Sequence, residues 1–259
     1  MVEKKRKKAR KPGRPRRRTS AKTLQPGGLE RGSIIERAYA MTQSQSLSDL
    51  SIVRLAADLG VQPGTIHYHL GSRENLITAV MNRFYRQILE SLDAGTPSAN
   101  WQDDLRRHGE IWLEEKLLHP GVANYIASND RFRVFQKPVD GEQDYGAKFM
   151  DRVFALLAAA DFSPDDAAQC WHLLALYTNA TAQTIAMKLA PAEHSDYLLG
   201  RARKYDKGEF PGLTFGLPAL ARLDARLAFD RSFDDLIAGY SAQFDNGGEA
   251  RGRGKPVRP

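Results

Sequence analysis

The sequence predicts an all-α protein, a three-helix helix-turn-helix unit followed by a larger helical domain, and three observations lead there. Leu55 to Leu76, LAADLGVQPGTIHYHLGSRENL, sets a short helix, a tight turn and a second short helix directly ahead of a third. Beyond it, apolar residues recur at three- and four-residue steps, with Ser, Asn, Pro and Gly at the breaks. The chain's 259 residues exceed a lone helix-turn-helix by enough to bury a second core.

The elements follow in order. A first helix carries Ile35, Ala38 and Tyr39 and gives way to a turn over Gln43 to Leu50. Ser51 caps the next helix, whose inward positions Ile52, Leu55, Ala56 and Leu59 fall at helical spacing, and Gly60 ends it. Val61 anchors the turn. Gln62 or Pro63 opens a short third helix that Ile66 and Leu70 hold down, leaving Thr65, His67, Tyr68 and His69 as an outer surface of hydrogen-bonding groups. Gly71 interrupts that helix, Ser72 caps the next, and Glu74 suits its positive end. A short helix with such a surface fits the major groove of DNA, where base edges and phosphates offer partners.

These residues resemble the DNA-binding domain of TetR-family repressors. Leu55-Ala56, Gly60-Val61, Gly64-Thr65-Ile66, His69-Leu70 and Ser72-Arg73-Glu74-Asn75-Leu76 occupy that family's motif positions, with a weaker match back to Ile34. His67 stands where the family usually has Tyr, and the turn from Gln43 to Leu50 lacks the customary Gly. The resemblance implies DNA contacts from Ser51, Arg54, Gln62, Thr65, His67, Tyr68, His69 and Arg73, with Gln62, Thr65 and His67 nearest the bases and the others at phosphates. It divides the chain into a basic arm over 1–30, a helix-turn-helix domain over 31–78, a ligand-binding and dimerisation domain over 79–245, and a tail over 246–259.

Charge is concentrated at one end. Residues 1–31 hold 13 Lys or Arg against Glu3 and Glu30, a net +11, so the whole-chain +7 leaves the remainder at −4. A segment so basic and so poor in apolar side chains cannot bury enough surface to fold alone and is expected to be a disordered arm that binds phosphate. Within it, Lys11-Pro12-Gly13-Arg14-Pro15-Arg16-Arg17-Arg18 resembles an AT-hook, with Pro12 where that motif has Arg. Gly allows close approach to the minor-groove floor, Pro keeps the chain extended, and Arg14, Arg16, Arg17 and Arg18 supply the charge.

The rest reads as helices. Leu76, Val80, Phe84, Ile88 and Leu92 run at four-residue steps until Gly95-Thr96-Pro97-Ser98 breaks the pattern. Asn100 caps a helix in which Trp101, Leu105, His108, Trp112 and Glu115 share a face, and His119-Pro120-Gly121 separates it from another. A less regular connection over Ser128 to Asp144 precedes a helix marked by Tyr145, Phe149, Val153, Leu156 and Leu157. Ser163-Pro164 starts the longest helix, to about Leu189, with a small-residue stripe at Ala168, Ala175, Asn179, Ala182 and Ala186. A last helix is expected after Ser232, with Phe233, Leu236, Ile237 and Tyr240 on one side. The segment from Phe210-Pro211 through Gly239 resembles the end of the tetracycline-repressor-like ligand domain, which implies a twofold homodimer.

His108, Trp112, Trp171, His172, Tyr177 and Asn179 are the polar or aromatic groups on helices otherwise rich in Leu and Ala, and they are the expected ligand pocket for a small-molecule effector. Each alone fits a packed interior as well. No metal or cofactor is expected, because His67 and His69, two apart on a helix, point about 200° apart. Nor does any catalytic signature occur: Gly-x-Ser-x-Gly, His-Glu-x-x-His, a Walker loop and Gly-x-Gly-x-x-Gly are all missing from the sequence, so an enzyme is not expected. One cysteine, Cys170, rules out a disulfide framework within the chain, and no apolar run approaches the roughly 20 residues of a membrane span. The expectation is a cytoplasmic, nucleoid-associated homodimeric repressor released from a palindromic operator by a small molecule. The competing expectations are an architectural DNA-binding protein dominated by its arm, and a ligand-dependent activator.

Overall fold

The structure, a computed structural model, describes residues 29–128, 134–139 and 141–245, the last three by backbone alone. Arg14, Arg16, Arg17 and Arg18 and the tail over 246–259 lie outside the described residues. All the regular structure described is helical.

Three short helices come first: α1 (Arg31–Met41), α2 (Ile52–Leu59) and α3 (Pro63–Leu70). The turn that lacks Gly is closed instead by a single 3-10 turn, Leu47–Asp49, capped by the Ser46 hydroxyl, with Leu47 and Leu50 buried beneath it. Ser51 caps α2 by accepting from the Arg54 N–H, and Gly60 ends it in the left-handed region at φ 69°. Such a backbone angle favours glycine, because a Cβ would crowd the following carbonyl. Ser72 caps α4 (Arg73–Asp93) by accepting from the Asn75 N–H.

Helix α4 is the beam between the two ends. Leu76, Val80, Phe84, Ile88 and Leu92 are all fully buried along it, and it packs on α1 at one end and on α5 (Trp101–Leu118) and α7 (Tyr145–Ala159) along its length. Asn82, buried on α4, clasps the segment before α7: its amide donates to the Gln143 carbonyl at 2.9 Å and accepts from the Tyr145 N–H at 2.8 Å. Helix α6 (Pro120–Ser128) leaves α5 at the His119-Pro120 corner, and α8 (Pro164–Ala186) packs against α5, α6 and α7. The core is continuous from Ile34 to Tyr240.

The C-terminal quarter departs from the sequence expectation. Two further helices, α9 (Ser195–Ala202) and α10 (Pro211–Leu220), precede the last, and α11 (Ala225–Asp245) begins seven residues before Ser232. Its apolar side is not free for a partner: Phe233, Ile237 and Tyr240 are buried, and α11 lies on α8. Periodicity marks a buried face without saying which chain buries it. The small-residue stripe is likewise divided, with Ala182 buried and Ala168 and Ala186 exposed.

Candidate nucleic-acid interface and ligand site

On α3, Ile66 and Leu70 are buried and fix which side faces inward. At about 100° per residue, the positions opposite them are Gly64 and Tyr68. Tyr68 is accordingly 86% exposed, the outermost large side chain of the helix, and a Cβ on Gly64 would meet nothing within 4 Å. Thr65 and His67 lie to either side of that crest. His69 is half-buried, with its ring edge-on to Tyr68 at 5.2 Å. Gln62 is exposed at the N-terminus of α3, where its side chain makes no capping bond.

Two expected phosphate or base contacts are committed elsewhere. The Arg73 guanidinium donates to the backbone carbonyls of Leu50, at 3.0 Å, and of Ser48, so it ties the 3-10 turn to the start of α4. The His67 Nδ1 sits 2.9 Å from the Gly71 carbonyl and closes the end of α3; because a carbonyl only accepts, that nitrogen carries the hydrogen. Ser51 is engaged as the α2 cap, whereas Arg54 is exposed on α2. The sequence placed Tyr68 on the flank, although the 100° step from Ile66 already puts it at the centre.

The second site is the interior between α5 and α8. Trp112 and Trp171 stack at 5.1 Å, and Phe149 of α7 lies 5.0 Å from Trp112 and 5.7 Å from Trp171. His108 joins the same group, its ring stacked toward Phe149 at 6.5 Å. Its Nδ1 donates to the Asp104 carbonyl at 2.6 Å, leaving Nε2 as a buried acceptor with no hydrogen-bond partner among the described residues. The Trp112 indole N–H and the Asn179 side-chain carbonyl oxygen are likewise buried without partners among the described residues. Burial lowers the His108 pKa.

His172 does not belong to this set. It is exposed, because adjacent helical residues diverge by about 100° and Trp171 takes the inward direction. Tyr177 is half-buried against the core. Lys116 is the residue that sequence reasoning missed. It is fully buried on α5, one turn beyond Trp112, with its ammonium 3.9 Å from the centre of the Trp112 ring and donating to the Thr178 hydroxyl at 2.6 Å. Burial pushes its pKa well below the usual lysine value. The spacing His108, Trp112, Lys116 was the available signal.

The same helix reaches the helix-turn-helix end. Glu115 is buried and accepts a hydrogen bond from the Tyr39 hydroxyl of α1. His119 stacks on the Tyr39 ring at 3.8 Å, and its Nδ1 lies 2.9 Å from the Thr42 hydroxyl, which donates to the Tyr39 carbonyl. The Gly121 N–H donates to the Thr42 carbonyl at 2.9 Å. A Cβ on Gly121 would lie 2.0 Å from the Gln45 carbonyl oxygen, so only glycine allows this approach of α6 to the end of α1. Burial lowers the His119 pKa to about 4, and burial raises that of Glu115 against the opposing Tyr39 hydrogen bond.

Among the described residues no helix is long and apolar enough to cross a membrane. No protein-family model matches the chain. An HTH-type transcriptional repressor of Mycobacterium tuberculosis is 24% identical over 173 residues, 66% of this chain, and the chain spans 60% of that relative's length. An HTH-type transcriptional regulator of Saccharopolyspora erythraea is 23% identical over 238 residues, covering 88% of this chain and 90% of that protein. Among solved structures, the TetR-family protein ActR of Streptomyces coelicolor in complex with actinorhodin superposes with a TM-score of 0.68 at 22% identity, over 83% of this chain and 97% of ActR. The curated relatives are thus helix-turn-helix regulators, and the chain has the fold of the TetR-family regulators.

Proposed function

We propose that the chain is a DNA-binding transcriptional regulator that acts as a homodimer and is released from a palindromic operator by a small molecule. The observation that carries this is α3 itself: a short helix pinned by Ile66 and Leu70 and presenting Tyr68, Thr65 and Gln62 outward, beside the exposed Arg54. In this reading Tyr68 moves from the phosphate flank to the centre of the groove-facing surface. Arg73 acts by holding the turn rather than by touching phosphate.

The dimer face is α10 with its surroundings. No residue of α10 is buried although most of it is apolar, and Phe215 is 90% exposed, with Leu213, Leu220, Tyr197 and Leu227 also exposed nearby in sequence. An apolar set of this kind on a regulator calls for a partner, and a second copy supplies the twofold that places two α3 helices about 34 to 36 Å apart, one turn of DNA.

Release follows from α5. Trp112 and Lys116 face the aromatic interior, while Glu115 and His119 hold Tyr39 and Thr42 of the helix-turn-helix end. A molecule entering between Trp112 and Trp171 rotates or shifts α5, and α1 follows through these bonds, with α4 as a second route. A ligand that favours the shifted spacing opposes DNA binding by linkage.

Selection of bound DNA from a random pool tests the reading. The full chain should enrich a palindrome, Tyr68→Ala should change the preferred bases, and Phe215→Glu should reduce the site to a half. Removal of residues 2–23 should lower affinity and the salt slope while leaving the palindrome. Enrichment of no sequence above background would leave a nonspecific DNA-binding protein instead.

A further inference from the structure

We propose that the cleft between α1, α4 and the segment 141–145 binds a small phosphomonoester, its phosphate among Arg31, Arg83 and Arg86 and its organic part on Ile35, Ala79 and Tyr145. The site is separate from the α5/α8 interior, and its occupation does not depend on the release mechanism above.

Space comes first. The cleft has a volume of about 500 Å³ and is partly open to solvent, within the range of about 300 to 1,000 Å³ usual for small-molecule sites. The first two turns of α1 form one wall, the segment 141–145 that leads into α7 forms the other, and α4 is the floor. The two hydrogen bonds from Asn82 to Gln143 and Tyr145 hold the second wall to the floor. On the α1 wall Gly32 leaves room, since a Cβ there would meet nothing within 4 Å.

Charge then selects the class. Three guanidinium groups line the cleft against two carboxylates, Glu36 and Glu142. Glu142 holds Arg31 and Glu36 holds Arg83, but both acids are exposed, and exposed pairs of this kind are weak enough to exchange for another anion. Arg83 has capacity to spare: its Nη1 lies 3.7 Å from the Glu90 carboxylate and is buried with no hydrogen-bond partner among the described residues. Turned from Glu36 toward a headgroup, the fork gains that partner. Arg86 binds Glu90 through Nε at 2.8 Å, with its guanidinium 5.8 Å from the centre of the Tyr145 ring.

A carboxylate has two oxygens for three such forks. The phosphate of a monoester has three free oxygens and close to two negative charges, and arginine meets it with paired hydrogen bonds. Ile35, Ala79 and the Tyr145 ring supply an apolar surface that only the organic part of the ester can use.

The experiment is calorimetric titration of the full chain with phenyl phosphate, inorganic phosphate and benzyl alcohol at about pH 7.5, where the ester is mostly a dianion. Phenyl phosphate should bind at least tenfold more tightly than either of the others. Arg83→Gln should weaken it at least tenfold, whereas Glu142→Gln, which frees Arg31, should tighten it severalfold; an ion pair with only a structural role gives no such gain. Arg83 also lies over the Tyr39 ring, 5.1 Å from its centre, so Gly32→Asp serves as a variant that leaves the fold intact. Aspartate suits the first turn of a helix and has open space here, yet it places a carboxylate in the cleft. It should weaken phenyl phosphate at least tenfold without lowering the thermal midpoint. Equal binding by the parent chain and Gly32→Asp would put the anion on the basic arm, whose residues 1–31 carry a net +11, and overturns the proposal. So does inorganic phosphate binding as tightly as the ester, the absence of any gain from Glu142→Gln, or no binding of phenyl phosphate at all.

Discussion

The helix-turn-helix end and the α5/α8 interior are built on opposite principles. Between Gln43 and Met81 every buried side chain is apolar, from Leu47 through Ile66 to Val80. In α5 and its neighbours the buried set includes His108, Glu115, Lys116, His119 and Thr178, four of them ionisable groups whose pKa values burial has moved. An apolar core with capped helices resists deformation, which suits a surface that must hold Tyr68 and Thr65 at fixed positions. A core with unpaired polar atoms gives up stability, and proteins retain that cost mostly where a ligand or a switch uses it.

The largest expected effect falls where the two regions meet. Gly121→Ala places a methyl group against the backbone oxygens of Gln45 and Thr42, neither of which can swing aside as a side chain would. Unfolding by urea should show a loss of about 3 kcal/mol or more, the size of an overpacked core. Gly60→Ala, by contrast, has open space around it and only an unfavourable φ, so about 1 kcal/mol is expected. If the two substitutions cost the same, the close approach of α6 to the end of α1 is not a constraint on the fold. Amide exchange at Thr42 to Gln45 would show whether the junction alone loosens.

How legible each region was in the sequence follows the same contrast. The caps at Ser51, Ser72, Asn100 and Ser163 and the four-residue stride from Leu76 to Leu92 could be read directly, because local hydrogen bonds and burial on one face follow from spacing alone. Lys116 was harder: its four-residue spacing from His108 and Trp112 points inward, whereas a lysine beside Glu114 and Glu115 reads as a solvated face, and the packing of α8 decides between the two. His172 failed in the reverse sense: its neighbour Trp171 takes the inward direction and leaves it in solvent. The apolar side of α11 was visible as periodicity, but whether α8 or a second copy covers it is a tertiary question. Helix α10 carries no polar stripe to mark a period, so it went unread.

Substitutions of opposite sign sharpen the comparison next. Ile66→Ala removes a fully buried side chain from the apolar region and should cost about 2 to 4 kcal/mol by thermal or urea unfolding. Lys116→Met keeps the volume of the side chain and removes a buried amine that has no carboxylate partner among the described residues, so the protein should gain about 1 to 2 kcal/mol. A loss on Lys116→Met would mean that the bonds to Thr178 and Trp112 already satisfy the ammonium, and the interior would then be a completed core rather than an open one.

The smallest effect is the response to acid, and its sign separates the residues at the junction. Burial lowers the folded-state pKa of His119 to about 4 from an ordinary 6.5, and it lowers His108 in the same direction. Between those values the unfolded chain binds protons that the folded chain refuses, so stability should fall as pH drops from 6.5 toward 4, by about 1 kcal/mol for His119 after relaxation. Glu115 works the other way. Its folded pKa is raised above the usual 4.5, so the folded state takes up a proton first and gains on the unfolded state as pH falls toward that value. His119→Gln should therefore flatten the decline and Glu115→Gln should steepen it. Should both variants follow the parent curve between pH 6.5 and 4, the Tyr39, Glu115 and His119 cluster would carry no protonation linkage to folding.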